Sequence, residues 1–172
     1  MSRALVVVES MFGNTRAIAA AIAEGLSDQM SAEVVEVGVA RQPDRDVELV
    51  VVGGPTHAFG MSRPSTRDAA AKQGARGGTG TDRGIREWLI ELTQGTDVAV
   101  ATFDTRIKKR GIPGSAARGA SRKLRRAGMR VLGGAHSFFV EGTAGPLLPG
   151  ELDRARAWGR ALAEQAITRQ RA

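Results

Sequence analysis

Two kinds of block alternate along the chain. Short apolar runs rich in valine, with no helical period, read as strands buried on both faces at residues 4–8, 47–52 and 98–103. Residues 33–39 differ, since Val35, Val37 and Val39 fall on one side of a period-two pattern. Residues 131–140 hold a fifth strand, kinked or bulged near Gly133-Gly134. Between the strands the period changes to that of a helix. Residues 16–27 carry Ile18, Ile22 and Leu26 four apart, and residues 85–92 carry Trp88 and Leu92 with Leu89 beside them. Residues 115–127 present Ala117, Ala120, Leu124 and Ala127 as a narrow apolar stripe. Residues 151–168 place Leu152, Ala155, Trp158 and Leu162 inward, and a shorter helix is predicted over 65–73.

Strands and helices alternate five times, which predicts an α/β domain: a doubly wound, five-stranded parallel sheet covered on both faces. No internal repeat or linker breaks the pattern, so residues 1–172 read as one domain. The stretch 56–84 is long and irregular, and loops of that length are usually functional or mobile. Its Gly77-Gly-Thr-Gly-Thr81 run follows no strand and reads as a loop rather than a phosphate cradle.

Composition narrows the chemistry. The 172 residues include no cysteine, which excludes disulfides, thiolate metal sites, iron–sulfur clusters and a thiol nucleophile. With two histidines a multi-histidine metal site is set aside, and no metal is expected. The formal charge is +7, which favours an anionic ligand or partner. Ten Lys and Arg residues and no acid lie between Asp104 and Glu141. Arg118, Arg122 and Arg126 are four apart and share a helix face. That face is either simply solvated or a dock for an acidic partner or a phosphate-bearing cosubstrate. Nucleic acid is disfavoured, because no aromatic residues interleave the charges. No apolar run reaches membrane-spanning length and no signal-peptide core is present, so the expected location is cytoplasmic, away from membranes.

Ligands of open parallel sheets bind beyond the carboxyl ends of the strands. Three predicted loops leave those ends: Glu9-Ser-Met-Phe-Gly-Asn-Thr15, Gly53-Gly-Pro-Thr-His-Ala-Phe-Gly60 and Thr102-Phe-Asp-Thr105. The first has the parts of a phosphate cradle, with Gly13 for a tight turn, hydroxyl and amide donors at Ser10, Asn14 and Thr15, and a helix N-terminus behind them. It has neither the Walker nor the dinucleotide glycine pattern, and an ordinary capped helix start is the alternative. His57 reads either as a loop histidine bonded to backbone or as a ligand contact, and His136 as a packing residue of the fifth strand.

Taken together, the three loops resemble those of the flavodoxin family. The likeness is carried by residues 4–26 and 50–59 and by the order of elements along most of the chain. It implies a flavodoxin-like sheet with strand order 2-1-3-4-5 and flavin mononucleotide (FMN) as cofactor. The family's phosphate loop reads Ser/Thr-x-Ser/Thr-Gly-x-Thr; Ser10, Gly13 and Thr15 match it, and Phe12 replaces the second hydroxyl. By this resemblance Ser10, Met11, Phe12, Gly13, Asn14 and Thr15 would hold the phosphate. Pro55, Thr56, His57, Phe59, Thr102, Phe103 and Asp104 would border the flavin ring. The wording Ser-Met-Phe-Gly-Asn-Thr looks nearer to flavodoxin-fold quinone reductases than to the acidic carrier flavodoxins, which commonly stack Tyr or Trp on the ring. This chain has no Tyr. The implied function is an FMN-binding redox protein, an electron carrier or a small NAD(P)H-using reductase, meeting a redox partner protein or a nicotinamide cosubstrate. The alternative is an interaction module that keeps the fold, has lost FMN and binds an acidic partner.

Overall fold

The computed structural model describes residues 1–57, 60–74, 83–94 and 98–168. Phe59 and the glycine-rich run 77–81 lie outside them. The elements are β1 (Arg3–Val8), α1 (Asn14–Leu26), β2 (Ser31–Glu36), β3 (Val47–Pro55), α2 (Pro64–Lys72), α3 (Ile85–Leu92), β4 (Ala99–Ile107), α4 (Ala116–Arg126), β5 (His136–Val140) and α5 (Glu151–Thr168). The strands make one parallel sheet in the order β2-β1-β3-β4-β5, the order the sequence implies.

The continuous apolar runs follow from a sheet covered on both sides. Val6, Val8, Val51, Ala101 and Phe103 point to one layer, where Ile18, Ile22, Ala155 and Leu162 of α1 and α5 cover them. Val7, Val50, Val52 and Val100 point to the other, beneath Trp88, Leu89 and Leu124 of α3 and α4. Alternate residues of one strand thus feed two cores, which leaves no polar face to pattern. Helices α1 and α5 meet backbone to backbone. A Cβ on Gly25 would collide with the Arg156 carbonyl, and one on Gly159 with the Ile22 carbonyl.

Several boundaries differ from expectation, each for a local reason. Helix α1 begins at Asn14, because Gly13 takes a left-handed φ of 93° and turns the chain directly into the helix. Strand β2 stops at Glu36, where the Glu36 carbonyl accepts from the Val39 and Ala40 amides; Val39 leaves the strand and is exposed. Strand β3 runs on through Gly53-Gly54-Pro55. Gly53 admits the Phe103 ring where any Cβ would strike it, and Pro55 closes the ladder opposite Thr105. Strand β4 continues to Ile107, so Thr102-Phe-Asp-Thr105 is strand and not loop. Residue Val131 makes only an isolated bridge to Val100, and β5 starts after Gly133, whose φ is +61°. Leu152 and Ala127, expected inward, are exposed, and Trp158 is half-buried.

Candidate functional site

The carboxyl ends of β1, β3, β4 and β5 surround a cleft lined by Met11, Phe12, Asn14, Thr15, Pro55, Thr56, His57, Thr105, Arg106, Ile107, Val140 and Thr143. The loop after β1 is shaped by Ser10. Its buried hydroxyl oxygen accepts from the Gly13 N–H at 3.2 Å and the Arg16 N–H at 3.3 Å. Gly13 has no side chain to cap α1 and Ser10 takes two of the N–H groups, while the positive end of α1 lines the cleft at Asn14 and Thr15. Thr15 and Thr105 share a hydrogen bond of 2.7 Å between their hydroxyls. Two hydroxyls in one such bond need a single bridging proton, which leaves the second O–H for an anionic oxygen. The Arg106 guanidinium lines the same cleft and donates to the Ile112 carbonyl at 3.1 Å.

Around these donors lie the apolar surfaces of Met11, Phe12, Pro55 and Ile107. His57 sits in a tight turn, exchanging backbone hydrogen bonds with Gly60 at 2.7 and 2.9 Å. Burial, with a smaller contribution from the Arg67 charge, lowers its pKa, so the imidazole is neutral at pH 7. The chemistry of the set fits a phosphate monoester joined to a flat apolar body. The helix end, Asn14, a spare hydroxyl proton and Arg106 suit the phosphate, and Phe12, His57 and Pro55 suit the flat part.

Three residues expected at the ligand ring do not reach the cleft. Phe103 is wholly buried in the α1/α5 layer, edge-on to Phe138 at 6.2 Å and Trp158 at 6.3 Å. Thr102 is buried on the other side of the sheet and donates to the Ala117 carbonyl at 3.0 Å. Asp104 caps α4. Its Oδ2 accepts from the Ser115 hydroxyl, from the Ala117 N–H at 3.0 Å and from the Thr56 hydroxyl at 3.0 Å. The common cause is the longer β4, which draws these residues into the sheet and leaves Thr105 and Arg106 at its rim. Phe59 lies outside the described residues.

The third predicted loop ends at Thr105 without assigning Thr105 or Arg106 to the ligand, and it does not reach Ile107, Val140 or Thr143. The last two belong to the end of β5 and the turn-rich loop after it, Glu141-Gly-Thr-Ala-Gly-Pro. The signal was available, since that loop also leaves a carboxyl end. It presses on the first loop so closely that a Cβ on Gly145 would lie 2.7 Å from the Asn14 amide.

A buried ionic cluster supports the cleft from behind. Glu9 accepts from the Ser62 hydroxyl and, at 3.1 Å, from the Ile85 N–H. Arg67, only 2% exposed, donates to Ser62 at 3.0 Å and with both terminal nitrogens to Glu87 at 3.4 Å. Burial raises the Glu9 pKa above the ordinary carboxylate value against the pull of its hydrogen bonds and of Arg67. Burial also acts to raise Glu87, but the Gly84 N–H, its own N–H and Arg67 together hold it below the ordinary value. The cluster ties the ends of β1 and β3 to α2 and α3. At the outer sheet edge His136 stacks on Trp158 with centroids 4.9 Å apart, and burial with Arg154 lowers its pKa.

Among the described residues no helix is long and apolar enough to cross a membrane, and no three His, Asp or Glu side chains gather as a metal site. No protein-family model and no curated protein sequence matches the chain. Solved structures do. An archaeal flavodoxin superposes with a TM-score of 0.71 at 21% identity, over 95% of this chain and 98% of that one. Flavodoxin 1 from Bacillus cereus gives 0.66 at 14% identity, over 95% of this chain and 98% of its own. A flavodoxin, WrbA-like protein from Agrobacterium tumefaciens gives 0.59 at 18% identity, over 98% and 99%. Sheet order, helix placement and these superpositions agree: the chain has the flavodoxin-like fold.

Proposed function

We propose that this protein is an FMN-binding redox protein, acting as an electron carrier or as a small NAD(P)H-using reductase, in a single flavodoxin-like domain. The observation that carries the reading is the N-terminus of α1, entered through Gly13 at a φ of 93°. It opens into a cleft that also holds Asn14, the Thr15–Thr105 hydroxyl pair and Arg106. In this reading Gly13, Asn14, Thr15 and Thr105 hold the phosphate, with Ser10 shaping the turn, and Met11, Phe12, Pro55, Thr56 and His57 border the ring. When bound, FMN supplies the electron-accepting chemistry. The chain's own share would be to hold the phosphate and to offer the apolar surfaces of Met11, Phe12 and Pro55 to the ring. Neutral His57 offers one N–H or one lone pair to the ring edge. Arg106 places positive charge beside the cofactor, which favours its reduced, more negative form. The redox partner is a protein or a nicotinamide cosubstrate.

One observation favours the second reading, an interaction module without FMN. Phe12 stands where the family places a hydroxyl, and Phe103 is sealed in the core, so neither Tyr nor Trp lines the cleft among the described residues. Titration with FMN, followed by quenching of flavin fluorescence, decides between them. Saturable quenching at micromolar concentration is expected. Its absence would overturn the FMN reading in favour of the module.

A further inference from the structure

A second concavity lies on the α4 side of the sheet. Arg118, Arg122, Lys123 and Arg126 of α4 and Arg86 of α3 line a cavity of about 530 Å³ together with Gly60, Met61, Gly114, Ser115 and Gly119. Among the described residues no acid lines it. Among the described residues none of the five cations forms an ion pair. We propose that this groove is a binding site for a compact polyphosphate, inorganic or carried on a nucleoside.

Four features point to that ligand class. The charges come from two helices, α3 and α4, onto one cavity, where like charges gathered together repel unless an anion joins them. Four of the five are arginines, whose planar fork pairs bidentately with phosphate oxygens. The glycine backbone there is open: a Cβ on Gly60 would meet nothing within 4 Å, and one on Gly119 only the Met61 methyl at 3.7 Å. The size falls within the ordinary range of small-ligand sites. A docking surface for an acidic protein would instead carry an apolar centre, and among the described residues lining the cavity Met61 is the one large apolar side chain.

The scaffold is rigid and does not need the charges. Helix α4 is anchored by buried Ala117, Ala120 and Leu124. Its cap is fixed by Ser115, which accepts from the Arg118 N–H at 3.1 Å while donating to Asp104. Arg86 is oriented by the Ser62 and Met61 carbonyls at 3.2 and 3.0 Å. The groove stands apart from the flavin cleft, so this proposal does not rest on FMN binding.

The test is calorimetric titration of the full chain, without FMN, with inorganic tripolyphosphate and separately with adenosine diphosphate, in about 0.15 M salt. Saturable one-to-one binding of either supports the site, and the tighter of the two names the source of the phosphate. Arg118→Glu/Arg122→Glu should weaken binding at least roughly tenfold per charge reversed. Arg41→Glu/Arg45→Glu removes the same charge from exposed positions elsewhere and should change affinity less than about threefold. Circular dichroism verifies that both variants fold; if the groove variant does not, Arg122→Gln replaces it with the same expected direction. Three results would overturn the proposal: non-saturable binding, equal weakening by the distant pair, or equal competition by a glutamate oligomer, which would mark the face as a dock for acidic protein.

Discussion

Replacing Arg67 by Met should destabilise the protein strongly and in a pH-dependent way. The side chain is 2% exposed and its nitrogens serve Ser62 and Glu87, while its charge acts on Glu9. Methionine fills much of the volume but leaves Glu9 buried without a cation. Breaking a buried pair in this manner costs about 3–5 kcal/mol. For a domain of this size each kcal/mol lowers Tm by roughly 2–4 °C, so a loss of about 6–20 °C is expected near neutral pH. The Glu9 pKa is already raised in the folded state, chiefly by burial. A carboxyl of this kind stabilises the fold fully below its unfolded value and loses that contribution as pH climbs through the folded one. Removing Arg67 raises the folded value further, so the deficit should shrink as pH falls from 7.5 to 5. Glu87 works in the opposite sense, but its side chain is 32% exposed and its share is screened. Thermal unfolding followed by circular dichroism at the two pH values measures this. A Tm loss under about 2 °C at pH 7.5, or an equal loss at both, would refute the reasoning.

Three further outcomes follow from the same structure. Glu9→Gln should flatten the decline of stability as pH rises above about 4.5, the ordinary value of its carboxyl; urea titrations between pH 4.5 and 8 would show the flattening, and an unchanged pH profile would count against a raised Glu9 pKa. Gly159→Ala should cost several kcal/mol of unfolding free energy, despite a helix-propensity gain of about 1 kcal/mol, because its Cβ meets the Ile22 carbonyl; a stabilised variant in urea would disprove the close contact. If FMN binds as proposed, Thr15→Ala should weaken it by roughly 1.5–3 kcal/mol and Gly13→Val by more, since valine resists the left-handed φ of 93°; fluorescence titration reports both, and unaltered affinity in the pair would place the phosphate elsewhere.

Most of the fold was legible because the central strands β1, β3 and β4 bury both faces, and a run such as Ala4-Leu-Val-Val-Val8 has few other uses. The ends were not. Whether Gly53-Gly-Pro55 ends β3 or extends it depends on the Phe103 ring, which lies fifty residues away in sequence. Asp104 reads as a loop residue until the Ser115 hydroxyl and the Ala117 N–H are seen to bond its Oδ2. The loop after β1 was visible from Gly13 and its hydroxyl neighbours. The Arg67 cluster was not, because a lone arginine in a polar helix carries no mark of burial; its acids come from the end of β1 and from α3.

The glycine seam between α1 and α5 joins nearly the first helix of the chain to the last. During synthesis β1, α1 and β3 emerge early, yet Ile18, Ile22 and the layer around Phe103 lack their cover until residues 151–168 have left the ribosome. A nascent chain of this protein therefore carries one sealed apolar face, beneath α3 and α4, and one partly bare face that only α1 covers. The bare face is the surface a holding chaperone would meet, and the closing of the last helix onto Gly25 is the step that ends that exposure.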